Sequence, residues 1–421
     1  MLIRGLRPPN RNEGEIMTIH LVVDLGFGDS GKGAVVSKLA RELGSDTPVI
    51  RFGSGPQAAH QVISKDKDIR HVFSSFGSGT LTGNKTVWDS KCLFNPRAFL
   101  NERDALIGKG VLPSILIHSD CPVITSYDIA FNEVTLAEQN KKGGSHGTTG
   151  HGIAATTQRE LDGYHLSVQD LITPIFLTDK LLGIQQYYKK KASSIDYMSY
   201  AYKFNTPIDH DISNAKDFAK LSKSESVVVS SSATSRVLEE APYGTIILES
   251  AQGILIDPEH GVFPYVTRHS VLPSEEYITK LNSILEIYAV TRSYHTRHGA
   301  GPFPGEKLGY GNSNPFEVNE RNVYQGDFRS SYLNMDLLEY SMNKLTNWCN
   351  KFPNDTSNLH LVITCMDLMD DKPKVIINGE VKELADRKEF FDLILKYFGQ
   401  YLSELIYTES PYLEDEFIAV D

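Results

Sequence analysis

The sequence has few cysteines, no excess of positive charge and no long apolar run. Its four cysteines are scattered over 421 residues, and no two of them have the spacing of a metal-ligand pair. Such sparse use favours a reducing cytoplasm over a disulfide framework. The formal net charge of −11 argues against nonspecific binding of nucleic acid, which depends on excess Lys and Arg. Phosphorylated small molecules remain compatible with this charge, because backbone N–H groups and a few cations suffice to hold a phosphate.

Signals for a membrane or for secretion are also lacking. No run approaches the roughly 18 apolar residues of a bilayer span. The first 16 residues, "MLIRGLRPPNRNEGEI", have no apolar segment of the signal-peptide kind, and we interpret them as a flexible extension. We therefore expect a cytoplasmic protein that does not bind membranes.

Short apolar runs recur along the chain and predict buried strands. Each run is followed by glycine or polar residues, as expected where ligand-binding loops leave the carboxyl ends of parallel strands. We predict one α/β domain over 17–421, with a large, mostly parallel central sheet flanked by helices and a helical insertion around 184–235. The strand-like runs lie at 19–27, 48–55, 113–120, 243–250, 283–294 and 359–369, and helical patterns lie at 31–44 and 335–352.

The stretch "VVDLGFGDSGKGAVVSKLA", which begins at residue 22, opens like a phosphate-binding loop. Its glycines and Lys32 have the spacing of a P-loop, in which the backbone approaches a phosphate at a helix N-terminus. The next residue is Gly33, however, where a P-loop needs Ser or Thr for the metal. Asp29 also lies inside the loop, and an acidic side chain beside a phosphate is unfavourable unless it binds a metal or moves a proton. The loop alone leaves a plain strand-to-helix turn open.

Several stretches, in one order along the chain, resemble the adenylosuccinate synthetase family. The family carries "GDEGKGK" where this chain has "GDSGKGA" (28–34). The later stretches are "GSGPQAAHQV" (53–62), "GTTGHGI" (147–153), "ESAQGILIDPEHGVFPYVT" (249–267) and "TRHGAGPFPGE" (296–306). They resemble the family's "GGNNAGHTV", its nucleotide-phosphate segment, "EGAQGTLLDIDHGTYPYVT" and "TRVGAGPFPTE". Several long matches in one order are a much stronger signal than any one loop.

The resemblance implies a ligase that joins the amino group of aspartate to C6 of a 6-oxopurine nucleotide, with Mg²⁺ and a nucleoside triphosphate. The triphosphate first phosphorylates the oxo group, and aspartate then displaces that phosphate. Asp29 would remove the N1 proton and, with the carbonyl of Gly28, bind Mg²⁺. His60 would donate a hydrogen bond to the oxygen, and Lys32 would neutralise phosphate charge.

Further site residues follow from the resemblance, motif by motif. The family is dimeric, so we also expect a homodimer. The guanidinium fork of an arginine suits the carboxylates of aspartate. Thr296, Arg297 and Arg329 would bind aspartate, and Thr364, Asp367, Ser410 and Pro411 would hold the base of the donor nucleotide. The purine nucleotide and phosphate would be bound by Gly28, Ser30, Gly31, Gly33, Ser37, Thr148, Thr149, Gln252 and Thr267.

Four departures from the family pattern concern the base, the sugar and the phosphoryl donor. Ser37 replaces an aspartate, and Asp327 replaces an arginine that contacts the ribose in the family. Cys365 replaces the lysine of the guanine-reading "TKLD", which disfavours GTP and favours ATP as donor. "TGRG" becomes "TGHG" at 149–152, and Gly163 falls about where the family lends an arginine across its dimer.

These departures resemble the bacteriophage branch of the family, the 2-aminoadenylosuccinate synthetases. That branch condenses dGMP with L-aspartate on the way to 2,6-diaminopurine in DNA, so the resemblance implies these substrates, with ATP, dATP or GTP as donor, in the cytoplasm of a host cell. Two alternatives stay open. One is an ordinary adenylosuccinate synthetase that uses IMP and GTP, and the other is a nucleotide-binding regulatory protein without ligase activity.

Overall fold

A computed structural model describes residues 17–53, 55–142, 144, 147–240, 244–279, 283–308, 310, 314–321, 323–352 and 357–420. The predicted extension over 1–16 lies outside the described residues. Among those that are described, no helix is long and apolar enough to cross a bilayer.

Helices and strands alternate along much of the chain. The helices are α1 (Lys32–Leu43), α2 (Pro96–Gly108), α3 (Ser126–Lys141), α4 (Ile153–Leu161), α5 (Val168–Ile172), α6 (Leu177–Tyr200), α7 (Asp209–Leu221), α8 (Ala233–Glu240), α9 (Glu275–Thr279), α10 (Met335–Cys349) and α11 (Arg387–Phe398). The strands are β1 (Met17–Asp24), β2 (Val49–Arg51), β3 (His60–Ser64), β4 (Ile69–Phe73), β5 (Thr86–Trp88), β6 (Ile115–His118), β7 (Val227–Ser230), β8 (Thr245–Gly253), β9 (Ser283–Arg292), β10 (Tyr294–His298), β11 (Phe328–Asn334), β12 (Ser357–Thr364), β13 (Lys374–Ile377), β14 (Glu380–Glu383), β15 (Glu404–Tyr407) and β16 (Ile418–Ala419).

Ten strands form a central sheet in the order β16-β15-β12-β9-β1-β8-β2-β5-β6-β7. Neighbouring strands are parallel throughout, except for the antiparallel pair β15 and β16 at one edge. The predicted large, mostly parallel sheet is therefore confirmed. The remaining strands form a four-stranded sheet (β10-β11-β13-β14) and the two-stranded hairpin β3-β4.

Helices cover both faces of the central sheet. Val22 of β1 belongs to a buried cluster with Val35 of α1. Its neighbour Leu21 belongs to a different cluster, with Leu338 of α10 and Phe390 of α11. Because successive side chains of a strand point to opposite faces, these two clusters lie on the two sides of the sheet. Burial on both sides explains why the inner strands read as continuous apolar runs.

The segment 184–235 differs from its prediction as a helical insertion. It contains most of α6, all of α7 and the start of α8, as expected for helical chain. Between α7 and α8, however, β7 pairs in parallel with β6 and forms an edge of the central sheet. The apolar run of β7 is only a few residues long, so its periodicity could not distinguish a strand from a turn between helices.

The end of β8 lies against the loop that follows β1. A Cβ atom added to Gly253 would lie 2.2 Å from the carbonyl oxygen of Gly26 and 2.4 Å from the backbone nitrogen of Gly28. Real Cβ contacts are not that short, so the two segments can meet only at glycine. This close approach fixes the β1 loop at the carboxyl edge of the sheet.

Replacing Gly253 by alanine should therefore lower the free energy of unfolding by roughly 1–3 kcal/mol, the usual cost of overpacking. Denaturant unfolding measures the loss. Gly108→Ala is the matched control, because no atom lies within 4 Å of an added Cβ at the end of α2. Equal stability of the two variants would contradict a close approach at Gly253.

Candidate active site

A cavity of about 200 Å³ opens at the carboxyl edge of the central sheet. It is lined by residues at or after the ends of β15, β12, β9, β1 and β8, which are consecutive strands of that sheet. Open parallel sheets bind ligands at this edge. The lining includes these residues predicted from the sequence: Gly28, Asp29, Gly31, Lys32, Gly33, His60, Thr149, Gln252, Thr364, Asp367, Ser410 and Pro411.

Asp24, the last residue of β1, organises the loop that follows. Its carboxylate accepts hydrogen bonds from the N–H of Gly26 (2.7 Å), the N–H and hydroxyl of Ser30 (3.0 and 2.9 Å) and the ammonium of Lys32 (2.9 Å). Burial raises the pKa of Asp24, but Lys32 and these hydrogen bonds outweigh it and hold the pKa below its usual value. Ser30, predicted to bind phosphate, thus has its hydroxyl committed to Asp24. Lys32 lines the cavity with its charge already paired, although an ammonium has further N–H donors for a ligand.

Asp29 lies on the same loop in a left-handed backbone conformation, with φ 62°. Few non-glycine residues adopt this conformation. Its carbonyl accepts a hydrogen bond from Nε of Arg292 (2.6 Å), which ties the loop to the end of β9. Burial raises the pKa of Asp29, against the opposing effects of Arg292 and Lys32. Within the described part of the chain its carboxylate accepts no hydrogen bond, so its oxygens are available to a proton or a hard cation.

His60, the first residue of β3, meets the N-terminus of α1. A Cβ atom added to Gly33 would lie 3.0 Å from Cβ of His60 and 2.8 Å from the carbonyl oxygen of Gln61. The Ser or Thr of a P-loop would therefore displace His60, which explains the glycine. Nδ1 of His60 lies 2.5 Å from Oε1 of Glu249, and Nε2 is buried without a hydrogen-bond partner among the described residues.

The residues predicted to hold the donor base surround another part of the cavity. The hydroxyl of Thr364 donates to the carbonyl of Ser30 (2.8 Å), and a Cβ at Gly31 would lie 3.1 Å from it. Cys365 follows with φ 59° and lines the cavity together with Asp367. Partial desolvation raises the pKa of the Asp367 carboxyl, although the residue is exposed. The end of β12 is thus joined directly to the loop that carries Asp29.

The residues predicted to bind aspartate lie on the smaller sheet. Arg297 of β10 and Arg329 of β11 are opposite each other in the strand register. Arg297 donates to the carbonyls of Ala300 (3.1 Å) and Pro302 (2.8 Å), while Arg329 donates to the carboxylate of Glu306 (2.9 Å). Burial, aided by the charge of Arg329, lowers the pKa of Arg297 to about 10. Neither arginine belongs to the lining of the cavity, because both are held by groups of the protein itself.

Ser37, predicted to lie near the purine, is fully buried on α1. Its hydroxyl donates to the carbonyl of Ala34 at 2.9 Å, one turn back along the same helix. The residue does not contribute to the cavity lining. This placement gives no support to direct reading of the purine by Ser37, and that role stays a prediction.

Three predicted threonines also lie outside the lining. The hydroxyl of Thr148 donates to the side-chain oxygen of Asn132 at 3.0 Å. The backbone N–H of Thr267 donates to the carbonyl of Ile256 at 2.7 Å. Thr296 is buried within β10. Their contacts with a nucleotide or with aspartate likewise stay predictions.

Comparison with known proteins identifies the family of this chain. The sequence profile of the adenylosuccinate synthetase family matches residues 21–377, a range that includes the loop of Asp29, His60 and the end of β12. The chain belongs to the adenylosuccinate synthetase family.

Relatives within the family are distant. The adenylosuccinate synthetase of Borrelia duttonii (strain Ly) is 27% identical over 304 residues, which are 69% of this chain and 65% of the relative. That of Koribacter versatilis (strain Ellin345) is 29% identical over 404 residues, 93% of this chain and 84% of the relative. The chain thus spans just under two thirds of the length of the Borrelia relative and a larger share of the Koribacter relative.

Solved structures of the family share the fold at low identity. The fully ligated adenylosuccinate synthetase of Plasmodium falciparum has a TM-score of 0.69 and 15% identity, over 97% of this chain and 100% of its own. The succinoaminodeoxyadenylate synthetase of cyanophage S-2L, bound to dGMP and dATP, has a TM-score of 0.59 and 13% identity. The match covers 96% of this chain and 95% of the cyanophage chain. The adenylosuccinate synthetase-like fold is therefore confirmed.

The sequence analysis did not single out four charged residues at or near the cavity, all of them buried or partly buried: Asp24, Glu249, Arg292 and Glu317. Arg292 donates to Glu317 at 2.8 Å, which links β9 to a cavity-lining segment that precedes β11. Asp24 and Arg292 each end a buried apolar run, and Glu249 lies near the end of another. A charged residue at the end of such a run was the available signal, because it has to face the ligand edge of a parallel sheet.

Asp24→Asn should lower the free energy of unfolding by about 3–5 kcal/mol, because it leaves the buried ammonium of Lys32 without a counter-charge. The pKa of Asp24 is depressed in the folded state, so its contribution is present above the unfolded carboxyl pKa of about 4 and is lost as the pH falls through the lower folded value. Denaturant unfolding at neutral and acid pH measures both effects.

Asp392→Asn is the control for Asp24→Asn, because it breaks an exposed pair with Lys388 one helical turn away. Such pairs contribute at most about 0.5 kcal/mol. A similar loss in the two variants, or a loss for Asp24→Asn that does not shrink in acid, would show that Asp24 does not bear the charge of Lys32.

Proposed function

We propose that the protein is a C–N bond-forming ligase that condenses L-aspartate with dGMP, driven by ATP or another purine nucleoside triphosphate. The product is 2-amino-2′-deoxyadenylosuccinate, formed through a 6-phosphoryl purine. One observation carries the proposal: an Asp29 carboxylate and a buried His60 ring nitrogen, neither with a partner among the residues that the structure describes, line the same cavity. A module that only binds nucleotides has no need of such an acid–base pair.

Asp29 suits the first step, in which the 6-oxygen of the purine attacks the γ-phosphorus of the donor. The attack requires loss of the N1 proton, and a carboxylate with a raised pKa accepts that proton more readily than an ordinary one. The start of α1 suits the phosphate. Gly31 caps this helix without a side-chain hydrogen bond, so its first N–H groups and its positive dipole end are available to phosphate oxygens.

The residues of the loop also fit Mg²⁺. In the described part of the chain no three His, Cys, Asp or Glu side chains form a ready-made metal cage. Mg²⁺ does not require one, because it is often held by one or two carboxylates and by substrate phosphates. We infer that Asp29 and the carbonyl of Gly28 supply the protein ligands. A bound Mg²⁺ would supply shielding of the phosphate charge.

The arginine pair suits the second step, in which the amino group of aspartate attacks C6 and phosphate leaves. Arg297 has no ion-pair partner among the described residues, and Arg329 is paired with Glu306. The cluster therefore carries surplus positive charge, which favours a dicarboxylate. To reach the cavity, these guanidinium groups have to exchange carbonyl contacts for the carboxylates of the substrate.

The choice of ATP as donor and of dGMP as substrate each rests on one departure from the family pattern, Cys365 and Asp327 respectively. Cys365 places a small thiol in the cavity where the family has a lysine. Asp327 replaces an arginine for the ribose and is exposed, 3.3 Å from Arg321. The cyanophage synthetase of similar fold is bound to dGMP and dATP, which supports this choice of nucleotides. The alternative is IMP with GTP, which the names of the curated relatives favour.

Phosphate release with Mg²⁺, aspartate and ATP should be at least about tenfold faster with dGMP than with IMP at equal concentration, the discrimination expected of one altered pocket contact. Reactions without aspartate are the control for uncoupled hydrolysis. Turnover with IMP alone would identify an ordinary adenylosuccinate synthetase. Nucleotide binding with no aspartate-dependent release from either purine, with GTP as well as with ATP, would identify a regulatory protein.

Asp29→Asn should lower kcat by at least about 10²-fold, the usual contribution of a positioned base, with nucleotide affinity largely retained. In the wild type, kcat should fall as the pH drops through the raised pKa of Asp29, and this acid limb should be absent from the variant. Steady-state rates over a pH series measure both.

Asp68→Asn is the matched control for Asp29→Asn. Asp68 also has a positive φ (48°), in the turn between β3 and β4, and does not line the cavity. Its rates should equal those of the wild type. Near-normal turnover in Asp29→Asn would remove Asp29 as the base.

A further inference from the structure

A buried carboxylate lies directly behind His60. Glu249 of β8 is about 1% exposed. It contacts Nδ1 of His60 at 2.5 Å and accepts hydrogen bonds from the backbone N–H (3.1 Å) and the hydroxyl of Ser78. Burial raises the pKa of Glu249, but His60, Arg51 and Ser78 outweigh it and lower the pKa to about 2. Glu249 is therefore ionised at neutral pH.

The ionised carboxylate determines which nitrogen of His60 carries the proton. A carboxylate accepts hydrogen bonds and cannot donate one, so Nδ1 has to be the donor. In a neutral imidazole, Nε2 is then an unprotonated acceptor. Nε2 is the buried nitrogen without a partner in the described structure, and His60 lines the cavity. While its imidazole is neutral, His60 thus presents a lone pair, and no N–H, at this point of the site.

A lone pair at Nε2 repels the oxygens of a phosphate. His60 can hydrogen-bond to such an oxygen only after it takes up a second proton. Burial lowers the pKa of His60 in the empty cavity, and Lys32 and Arg51 act in the same direction. The charge of Glu249 opposes them, and a bound anion would add to its effect.

We propose that Glu249 is a positioning residue, which fixes the ring and tautomer of His60 so that His60 hydrogen-bonds to substrate phosphate only as an imidazolium. The second proton comes from solvent and stays on Nε2, so no covalent step is added. The identification of the phosphate as a substrate phosphate rests on the function proposed above. The arrangement of Glu249, Ser78 and His60 is independent of that function, because it is seen directly in the structure.

Ser78 holds Glu249 in place through two donors, and a tight backbone surrounds the carboxylate. A Cβ added to the neighbouring Gly77 would lie 3.3 Å from Oε2 of Glu249 and 3.0 Å from Val49. The carboxylate therefore has little room to turn away from the ring. This rigidity is what a group that orients another side chain requires.

A double-mutant cycle tests whether Glu249 acts through His60. Glu249→Gln keeps the size of the side chain and an oxygen that can accept from Nδ1, but it lacks the charge that stabilises the second proton. It should lower kcat by about 10²-fold with little change in KM. In a His60→Asn background it should have no further effect. Equal losses in the two backgrounds would overturn the proposal.

NMR of protein labelled with ¹⁵N-histidine tests the same inference without turnover. In the free wild type, Nδ1 of His60 should be protonated and Nε2 should not. With dGMP and the β,γ-methylene analogue of ATP, both nitrogens should be protonated, and Glu249→Gln should lose this second protonation. A protonated Nε2 in the free protein, or wild-type behaviour of Glu249→Gln, would overturn the inference.

Glu102→Gln is the matched control. Glu102 of α2 is also a buried carboxylate, which accepts from the hydroxyl of Ser74 (2.6 Å) and the N–H of Ser75 (2.6 Å) and lies 3.7 Å from His71, outside the cavity lining. Its substitution should cost stability but leave kcat and the His60 signals unchanged. A loss of kcat equal to that of Glu249→Gln would overturn the proposal.

Two further outcomes separate this inference from the proposed function. If no purine nucleotide gives product, the proposed function fails, and the NMR experiment still decides the role of Glu249. If Glu249→Gln does not fold, Ser78→Ala replaces it, since it removes one hydrogen bond and keeps the charge. It should lower kcat less than His60→Asn does, and an unchanged kcat and tautomer would overturn the inference.

Discussion

The carboxylate of Asp24 is the interaction on which the site depends. It binds two backbone N–H groups, a hydroxyl and an ammonium, all within eight residues of chain. A buried carboxylate that lacked these partners would be very costly, so the shape of the loop is strongly determined. That constraint keeps Asp29 in its left-handed conformation. Its carboxylate lies at the cavity with no hydrogen-bond partner in the described part of the chain.

The β1 loop resembles a P-loop in its spacing but uses its last glycine differently. In a P-loop the residue after the lysine supplies a hydroxyl to the metal. Here Gly33 leaves room for β3, which brings His60 to the same helix end. The loop therefore exchanges a metal-binding hydroxyl for a ring nitrogen, and the oxygen donors for a cation have to come from Asp29, Gly28 and the nucleotides. The glycine and the histidine are two parts of one arrangement.

The apolar runs were sufficient to predict the parallel sheet, whose ligand loops meet at the carboxyl edge. That Asp29, His60, Gln252 and Thr364 belong to one site was implied only by the resemblance to the family. The sequence was not sufficient for contacts that depend on register. Arg297 and Arg329 are cross-strand neighbours that hold carbonyls of their own sheet. Glu249 is visible in "ESAQG", but its partner His60 is 189 residues away and reaches it only through the packing of β3. The direction of Ser37 was equally hidden, since a helix face cannot be assigned before its neighbours are known.

A protein of net charge −11 holds the carboxylates of Asp24, Asp29, Glu249 and Glu317 close to a proposed phosphate site, which calls for an electrostatic explanation. Asp24 is paired with Lys32, and Glu249 with the ring of His60 and the donors of Ser78. Arg292, the cation nearest the carbonyl of Asp29, is in turn paired with Glu317. Among these four carboxylates, and within the described residues, only Asp29 keeps unpaired oxygens and a raised pKa. The pairing thus offsets the charge of Asp24, Glu249 and Glu317, which would only repel phosphate, and leaves charge on Asp29, where a proton or a metal ion can bind.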